Sequence, residues 1–161
     1  MIKSGRWEYV DRVGSTGAVV IVAVTNENQL VFTEQYRIPV AHRAIELPAG
    51  LAGDVPDQER EALATAARRE LVEETGFEAE EMVAVASGPP SAGLASEIVT
   101  FFHATDLRRV SAGGGHEHEE IVVHAIRLDE VDDWLGEKAA EGLLIDPKVY
   151  AGLYLVRRHT K

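Results

Sequence analysis

Three glutamates lie at helical spacing in the segment RRELVEETGF, residues 68–77. Glu70, Glu73 and Glu74 occupy positions i, i+3 and i+4, so a helix would place their carboxylates on one face. Like charges at this spacing destabilise an isolated helix by roughly 0.2–0.5 kcal/mol per pair. Because Mg²⁺ and Mn²⁺ prefer carboxylate oxygens and need few protein ligands, one interpretation of this face is a site for divalent cations.

Two other interpretations fit the same residues. The carboxylates could form a solvated charged face balanced by Arg68 and Arg69, or they could form a surface that docks another protein. The helix alone does not distinguish these three interpretations, so residues elsewhere in the chain must decide between them.

The element that carries the glutamates is predicted to be a helix over residues 62–75. Leu63, Ala67 and Leu71 form an apolar stripe at i, i+4 and i+8, which is typical of a helix packed against a core. Gly76 follows directly and is the expected C-cap. The stripe and the glutamates therefore belong to one amphipathic helix.

The remaining elements follow from runs of apolar residues and turn signals. Residues 37–58 are expected to be irregular, and 111–120 to be a flexible glycine-rich loop. The predicted strands are 18–24, 29–36 (its hairpin partner), 82–87, 97–104 and 121–128, and the predicted C-terminal helices are 129–141 and 147–158. This order favours a mixed α/β or α+β domain over a regular βαβ array.

Composition narrows the class of protein. The 161 residues are 45% apolar, which suits one globular domain, and the net charge of −11 disfavours binding to nucleic acid or to an acidic membrane surface. With no cysteine, the sequence excludes disulfides, zinc–thiolate sites and a cysteine nucleophile. No signal-like apolar segment is visible at the N-terminus, so a soluble, cytoplasmic protein is expected.

The spacing of the acidic residues resembles a known signature. Glu61, seven further residues and RELVEETGF (69–77) match the back portion of the Nudix hydrolase box. The upstream glycine departs from the pattern, because Val55 stands where the box has glycine. Gly50 is the candidate replacement, which makes the following loop about five residues longer than usual.

Further segments resemble the ADP-ribose pyrophosphatase branch of that family. They are EQYRIPV (34–40), ELPAG (46–50), EHEEIVV (117–123) and GLLIDPKVYAGL (142–153). The resemblance implies an α+β fold, an α/β/α sandwich with a mixed β-sheet between helices. It also implies a hydrolase domain over 15–161 and an N-terminal segment, 1–14, available for forming a dimer.

The resemblance implies hydrolysis of the diphosphate bond of ADP-ribose, or of a related nucleoside diphosphate sugar, to AMP and ribose 5-phosphate. Two or three Mg²⁺ or Mn²⁺ ions per site would be required. The implied metal ligands are Glu70, Glu74, the Ala49 carbonyl and, for an extra ion, Glu119.

The implied catalytic residues are Glu117, Arg69 and Glu73. Glu117 would be the general base, with Glu119 and Glu120 as alternatives and a merely solvated acidic loop as the plain interpretation. Glu73 would share an ion or pair with Arg69 to hold the helix against the neighbouring loop, and Glu61 would act through water.

Residues on the substrate side follow from the same resemblance. Arg37, Arg43, Glu46, Ser96 and Glu97 are expected to bind substrate, since guanidinium groups suit phosphate oxygens. For Arg43, a surface salt bridge is an equally good interpretation.

Alternative functions remain open. One is a pyrophosphatase for GDP-mannose, another nucleotide sugar or a nucleoside triphosphate, because one box serves many substrates. The other is a non-catalytic module that senses nucleotides. The expected partners are a small nucleoside diphosphate and a second copy of the chain in a homodimer, with neither nucleic acid nor membrane.

Overall fold

The computed structural model describes residues 1–54, 57, 61–115 and 120–159. Its helices are α1 Leu63–Thr75, α2 Val131–Ala140 and α3 Pro147–His159. Its strands are β1 Ile2–Ser4, β2 Trp7–Tyr9, β3 Gly17–Ala23, β4 Gln29–Arg37, β5 His42–Glu46, β6 Ala49–Ala52, β7 Phe77–Gly88, β8 Val99–Arg109, β9 Val122–Arg127 and β10 Leu144–Ile145.

Across these residues the strands form two mixed four-stranded sheets and a separate hairpin. The first sheet has the order β6-β3-β8-β7, in which β3 and β8 are parallel. The second has the order β10-β5-β4-β9, in which β10 and β5 are parallel. Strands β1 and β2 pair only with each other.

Strand β3 is the centre of the core because its side chains alternate between two apolar clusters. Val19 and Ile21 face α1 and pack in one cluster with Leu71. Val20 and Val22 face the other way and pack with residues of β4, α2 and α3. Since successive strand residues point to opposite faces, an unbroken apolar strand requires helices on both sides. The predicted α+β fold with an α/β/α sandwich is confirmed, although the sheet is divided in two.

Two predictions about local structure are wrong. Strand β4 does not form a hairpin ladder with β3; it pairs with β5 and β9, and only Val24 and Leu30 form a bridge beside the turn. The stretch predicted to be irregular contains β5 and β6, which flank Pro48. Both strands are too short to show a clear pattern of alternation in the sequence.

The N-terminal hairpin stands apart from the sandwich. Its residues are exposed except for Tyr9, and the following segment bridges Val10 to Ala95. Among the described helices, none is long and apolar enough to cross a membrane.

Candidate active site

Helix α1 carries the glutamates of the box, as the apolar stripe predicts. The helix ends at Gly76, which adopts φ +74° and donates its backbone N–H to the Val72 carbonyl. A left-handed residue favours glycine, so the Thr-Gly pair sets the end of the helix. Buried Ala66, Ala67 and Leu71 hold one face against the sheet, which leaves the carboxylates for the opposite edge.

The carboxylates line a cavity of about 410 Å³ between α1, β3, β6 and the start of α3. Among the described residues, six acidic and four basic side chains line it. The acids are Glu46, Asp54, Glu70, Glu73, Glu74 and Glu97, and the bases are Arg12, Arg37, Arg69 and Lys148. The acids outnumber the bases, so an anionic diphosphate would need added cations to bind here.

Arg69 lies at the centre of the acidic cluster. Its Nη1 donates to Glu70 at 2.8 Å and to Glu73 at 3.0 Å, while Nη2 donates to the Leu51 carbonyl at 2.9 Å. Nε and Nη2 both donate to Glu61, whose side chain is only 2% exposed. Although burial opposes it, these hydrogen bonds and charges raise the pKa of Arg69 above its usual range. The guanidinium therefore ties the glutamates to the β6 backbone.

Glu70 approaches the backbone at Gly50 more closely than any side chain there would allow. A Cβ placed on Gly50 would lie 1.9 Å from the Glu70 carboxyl carbon. Burial raises the pKa of Glu70 to about 7, despite the lowering effect of the adjacent Arg69 charge. The fold thus holds a carboxylate where its charge is incompletely compensated.

Glu74 is also held against this loop. It is 6% exposed, and its Oε2 accepts the backbone N–H of Ala49 at 3.0 Å. These hard oxygen donors suit Mg²⁺ or Mn²⁺, which keep several waters and take one or two protein carboxylates plus substrate phosphates. Among the described residues no three acidic or histidine side chains converge on one point, so each ion would depend on substrate and water for its remaining ligands.

Three expected substrate residues also lie in the cavity. Arg37 makes a bidentate pair with Glu46, at 2.6 Å from Nε and 2.8 Å from Nη2. Glu46 is buried, so this pair fixes the guanidinium at the cavity wall. Glu97 accepts from Arg12 Nε at 2.7 Å.

Two other expected substrate residues lie elsewhere. Arg43 is not among the residues that line the cavity; its Nε donates to Glu34 at 2.6 Å, as in the salt-bridge interpretation. It stands three positions before Glu46 on β5, and strand alternation therefore points it to the opposite face. Ser96 donates to Asp11 and lines a smaller adjoining cavity.

The expected residues of the late acidic loop are only partly described. Glu117 and Glu119 lie outside the described residues. Glu120 is described and is exposed.

The start of that loop is anchored to the end of α1, whereas the sequence predicts glycines that let it move. The backbone N–H groups of Gly114 and Gly115 donate to the carbonyls of Glu74 and Glu73, at 2.8 and 3.0 Å. A Cβ on Gly113 would lie 2.4 Å from the Thr75 carbonyl carbon. The glycines at 113–115 thus permit close packing on the helix that carries the glutamates.

Three charged residues that line the cavity were not predicted from the sequence. Arg12 lies at the cavity because the N-terminal segment bridges to the chain at Ala95. Asp54 forms an ion pair with Arg69 at 3.3 Å. Lys148 lies in the first turn of α3 and pairs with Asp146. For Arg12 and Asp54 the sequence carries no signal, but Lys148 follows the Asp-Pro pair that starts a helix.

Comparison with known proteins assigns the family. The NUDIX domain family model matches residues 15–146. A methanol dehydrogenase activator from Bacillus methanolicus is 36% identical over 138 residues, which are 85% of this chain and 72% of the relative. An ADP-ribose pyrophosphatase from Bacillus subtilis (strain 168) is 34% identical over 106 residues, 66% of this chain and 55% of the relative.

A GDP-mannose pyrophosphatase from Enterobacter sp. (strain 638) is 33% identical over 132 residues, 76% of this chain and 64% of the relative. The chain thus spans between about half and three quarters of the length of these relatives. A crystal structure of an ADP compounds hydrolase superposes with a TM-score of 0.68 at 24% identity, covering 88% of this chain and 71% of that one. This likeness confirms the predicted fold.

Proposed function

The chain belongs to the NUDIX domain family, and from this premise we propose that it is a divalent-metal-dependent pyrophosphatase. Its substrate would be ADP-ribose or a related nucleoside diphosphate sugar, and ADP-ribose would yield AMP and ribose 5-phosphate. A relative named ADP-ribose pyrophosphatase, 34% identical, supports this substrate class.

The observation that carries the proposal is the placement of the helix glutamates. Glu70, Glu73 and Glu74 line one cavity of about 410 Å³ together with the loop at Ala49 and Gly50. A solvated helix face would leave these carboxylates in water, yet Glu74 is buried and burial raises the pKa of Glu70. Burying charged carboxylates is unfavourable unless a cation compensates them.

Glu70 and Glu74, with the Ala49 carbonyl, would hold Mg²⁺ or Mn²⁺, with Glu119 available to an additional ion. The bound ions would neutralise the diphosphate and lower the pKa of the attacking water. Arg69 is hydrogen-bonded to Glu61, Glu70 and Glu73, and it would hold the carboxylates in position while no ion is bound. Glu117 would take the proton from the water, since a carboxylate bound to metal is a poor base.

The basic residues of the cavity would orient the substrate. Arg37, fixed by Glu46, and Arg12, fixed by Glu97, offer N–H groups that suit phosphate or ribose oxygens. Each guanidinium already has a carboxylate partner, so its position is set before substrate binds. Such preorganisation reduces the entropy lost on binding.

A second candidate is a GDP-mannose pyrophosphatase. A relative of that name is 33% identical over 76% of this chain, about as similar as the ADP-ribose pyrophosphatase. The diphosphate chemistry is the same for both substrates, so the two candidates differ only in the groups on either side of the bond.

A panel of substrates tests the proposal. Purified protein with Mg²⁺ or Mn²⁺ is incubated with ADP-ribose, GDP-mannose, other nucleotide sugars and nucleoside triphosphates, and the products are separated by ion-exchange chromatography. We expect AMP and ribose 5-phosphate from ADP-ribose, and no products with EDTA. Preferred cleavage of triphosphates would reject the assignment, and binding without cleavage would favour a nucleotide sensor.

The variant Glu70→Gln tests the assignment of the site itself. It should abolish turnover while the circular dichroism spectrum stays unchanged. Glu81→Gln removes one charge from an exposed position on β7 and is the matched control, which should remain active. Normal hydrolysis by Glu70→Gln would show that the metal ligands lie elsewhere.

A further inference from the structure

A second cavity adjoins the catalytic cleft, between α3 and the ends of β7 and β8. Its volume is about 490 Å³, and three residues, Pro90, Val99 and Lys148, line both cavities. Both volumes lie within the range of roughly 300–1,000 Å³ that is usual for ligand sites. A molecule longer than a diphosphate could therefore occupy both without leaving the protein surface.

The walls of this groove are mainly apolar. They are formed by Pro89, Phe101, Ala151, Tyr154 and Leu155, and the paired Asp146 and Lys148 stand at the end that meets the cleft. The catalytic cleft has the opposite character, since charged side chains dominate its lining. The combined site is thus apolar at one end and ionic at the other.

The ring of Tyr154 is held at the groove by its contact with Arg158 on the same helix. Arg158 donates to the Tyr154 hydroxyl at 3.1 Å, and its guanidinium carbon lies 5.6 Å from the ring centroid. The tyrosine is nevertheless 59% exposed. An exposed ring held at the mouth of an apolar groove can stack on a planar group of a ligand.

We propose that this groove is the subsite for the nucleobase of the substrate, a proposal that rests on the pyrophosphatase function above. Of the groups attached to the diphosphate, a nucleobase has flat apolar faces that suit these mainly apolar walls, whereas a terminal sugar presents hydroxyl groups for which the walls offer few partners. The base lies between α3 and the β7–β8 end, and the diphosphate lies on the glutamates. Lys148, at the junction, contacts the phosphate nearest the nucleoside.

Measuring how tightly the two products bind tests the proposed subsite independently of catalysis. AMP carries the ring, and ribose 5-phosphate lacks it. Both are titrated in the presence of Mg²⁺, by calorimetry and by saturation-transfer NMR on the adenine protons. Neither product contains a diphosphate bond, so turnover plays no part. Wild-type protein should transfer saturation strongly to the adenine protons.

Two variants change the groove in opposite directions. Tyr154→Ala removes an aromatic wall, and Ala151→Trp fills the space. Each should weaken AMP binding by about tenfold, the scale of one base–aromatic stack, and leave ribose 5-phosphate unchanged. Tyr150→Ala is the matched control because Tyr150 is 56% exposed on the same helix but does not line the groove.

The kinetic counterpart is measured with ADP-ribose and Mg²⁺. Tyr154→Ala and Ala151→Trp should raise KM about tenfold at nearly unchanged kcat, and Tyr150→Ala should match wild type. The subsite would be overturned if Tyr154→Ala and Ala151→Trp bound AMP as tightly as the wild type and Tyr150→Ala do. It would also be overturned if they weakened the binding of AMP and of ribose 5-phosphate equally, even if hydrolysis proceeds. Failure of the wild type to hydrolyse any nucleoside diphosphate would instead reject the proposed function.

Discussion

At the scale of single residues, the site is defined by charges held in unfavourable positions. Glu70 is half-buried beside Gly50, and its charge is compensated mainly by Arg69. The sequence predicted which helix positions carry the carboxylates, because i, i+3, i+4 spacing is a local property. It could not predict the degree of burial, which depends on the loop at Ala49 and Gly50 reaching the helix.

The raised pKa of Glu70 predicts how stability depends on pH in metal-free protein. Burial raises this pKa from 4.5 to about 7, so between those values the folded state binds more protons than the unfolded state. Stability contributed by this group is therefore present at low pH and is lost as pH rises through about 7. Urea unfolding of wild type and Glu70→Gln in EDTA should show the variant gaining relative stability from pH 5 to pH 8.

Magnesium supplies the control for this pH effect. At pH 8 it should stabilise the wild type, because a bound cation compensates the carboxylate, and should have less effect on Glu70→Gln. A stability difference between the two proteins that does not change with pH would contradict the burial of a charged Glu70.

For the general base, we predict that Glu117→Gln lowers kcat by about 10²–10⁴-fold and leaves KM nearly unchanged. The amide keeps the size of the side chain but cannot accept the proton from water. Steady-state kinetics with ADP-ribose and Mg²⁺ measures both constants. Glu120→Gln alters an exposed neighbour and should retain activity; if it is the inactive variant, the base is Glu120.

At the scale of elements, the site depends on contacts between segments that are distant in sequence. Helix α1 was predictable because the apolar stripe and Gly76 agree on its register and its end. Strands β5 and β6 were not predictable, since each has five residues or fewer and the two strands pair in different sheets. Those two strands nonetheless supply Glu46, Ala49 and Gly50.

The junction of β6 with α1 predicts a selective effect of Gly50→Ala. The added methyl group meets the flexible end of Glu70, so the side chain should move while the backbone stays in place. A displacement of about 1 Å at a catalytic group can cost 10²-fold in rate. We expect kcat/KM to fall about 10²-fold with a small change in the free energy of unfolding.

Gly136→Ala is the matched control for that substitution. Gly136 lies in α2, and apart from its chain neighbours and the backbone of its own helix nothing lies within 4 Å of its added Cβ. This variant should keep full activity and gain up to about 1 kcal/mol of stability, because alanine favours the helix interior. Wild-type kinetics for Gly50→Ala would show that the position of Glu70 is unimportant.

At the scale of the whole molecule, the protein is acidic, whereas the proposed substrate is an anion. With a net charge of −11, long-range electrostatics would oppose association, so binding of such a substrate would depend on local basic side chains and on the proposed metal ions. The composition predicted this need, but not that Arg12 and Lys148 line the cleft. Those residues reach the cleft through the N-terminal segment and through α3, at opposite ends of the chain.

The exposed N-terminal hairpin predicts that two copies associate. A lone two-stranded hairpin is marginally stable in water, and here its Trp7 is 66% exposed on β2. A partner covering this ring would stabilise the hairpin, consistent with the expected homodimer. We therefore predict that Trp7→Glu shifts the protein from dimer to monomer in sedimentation velocity at micromolar concentration. Val83→Glu, on the exposed edge strand β7, tests the competing edge-to-edge interface; a monomer from that variant alone would assign the dimer to β7 instead.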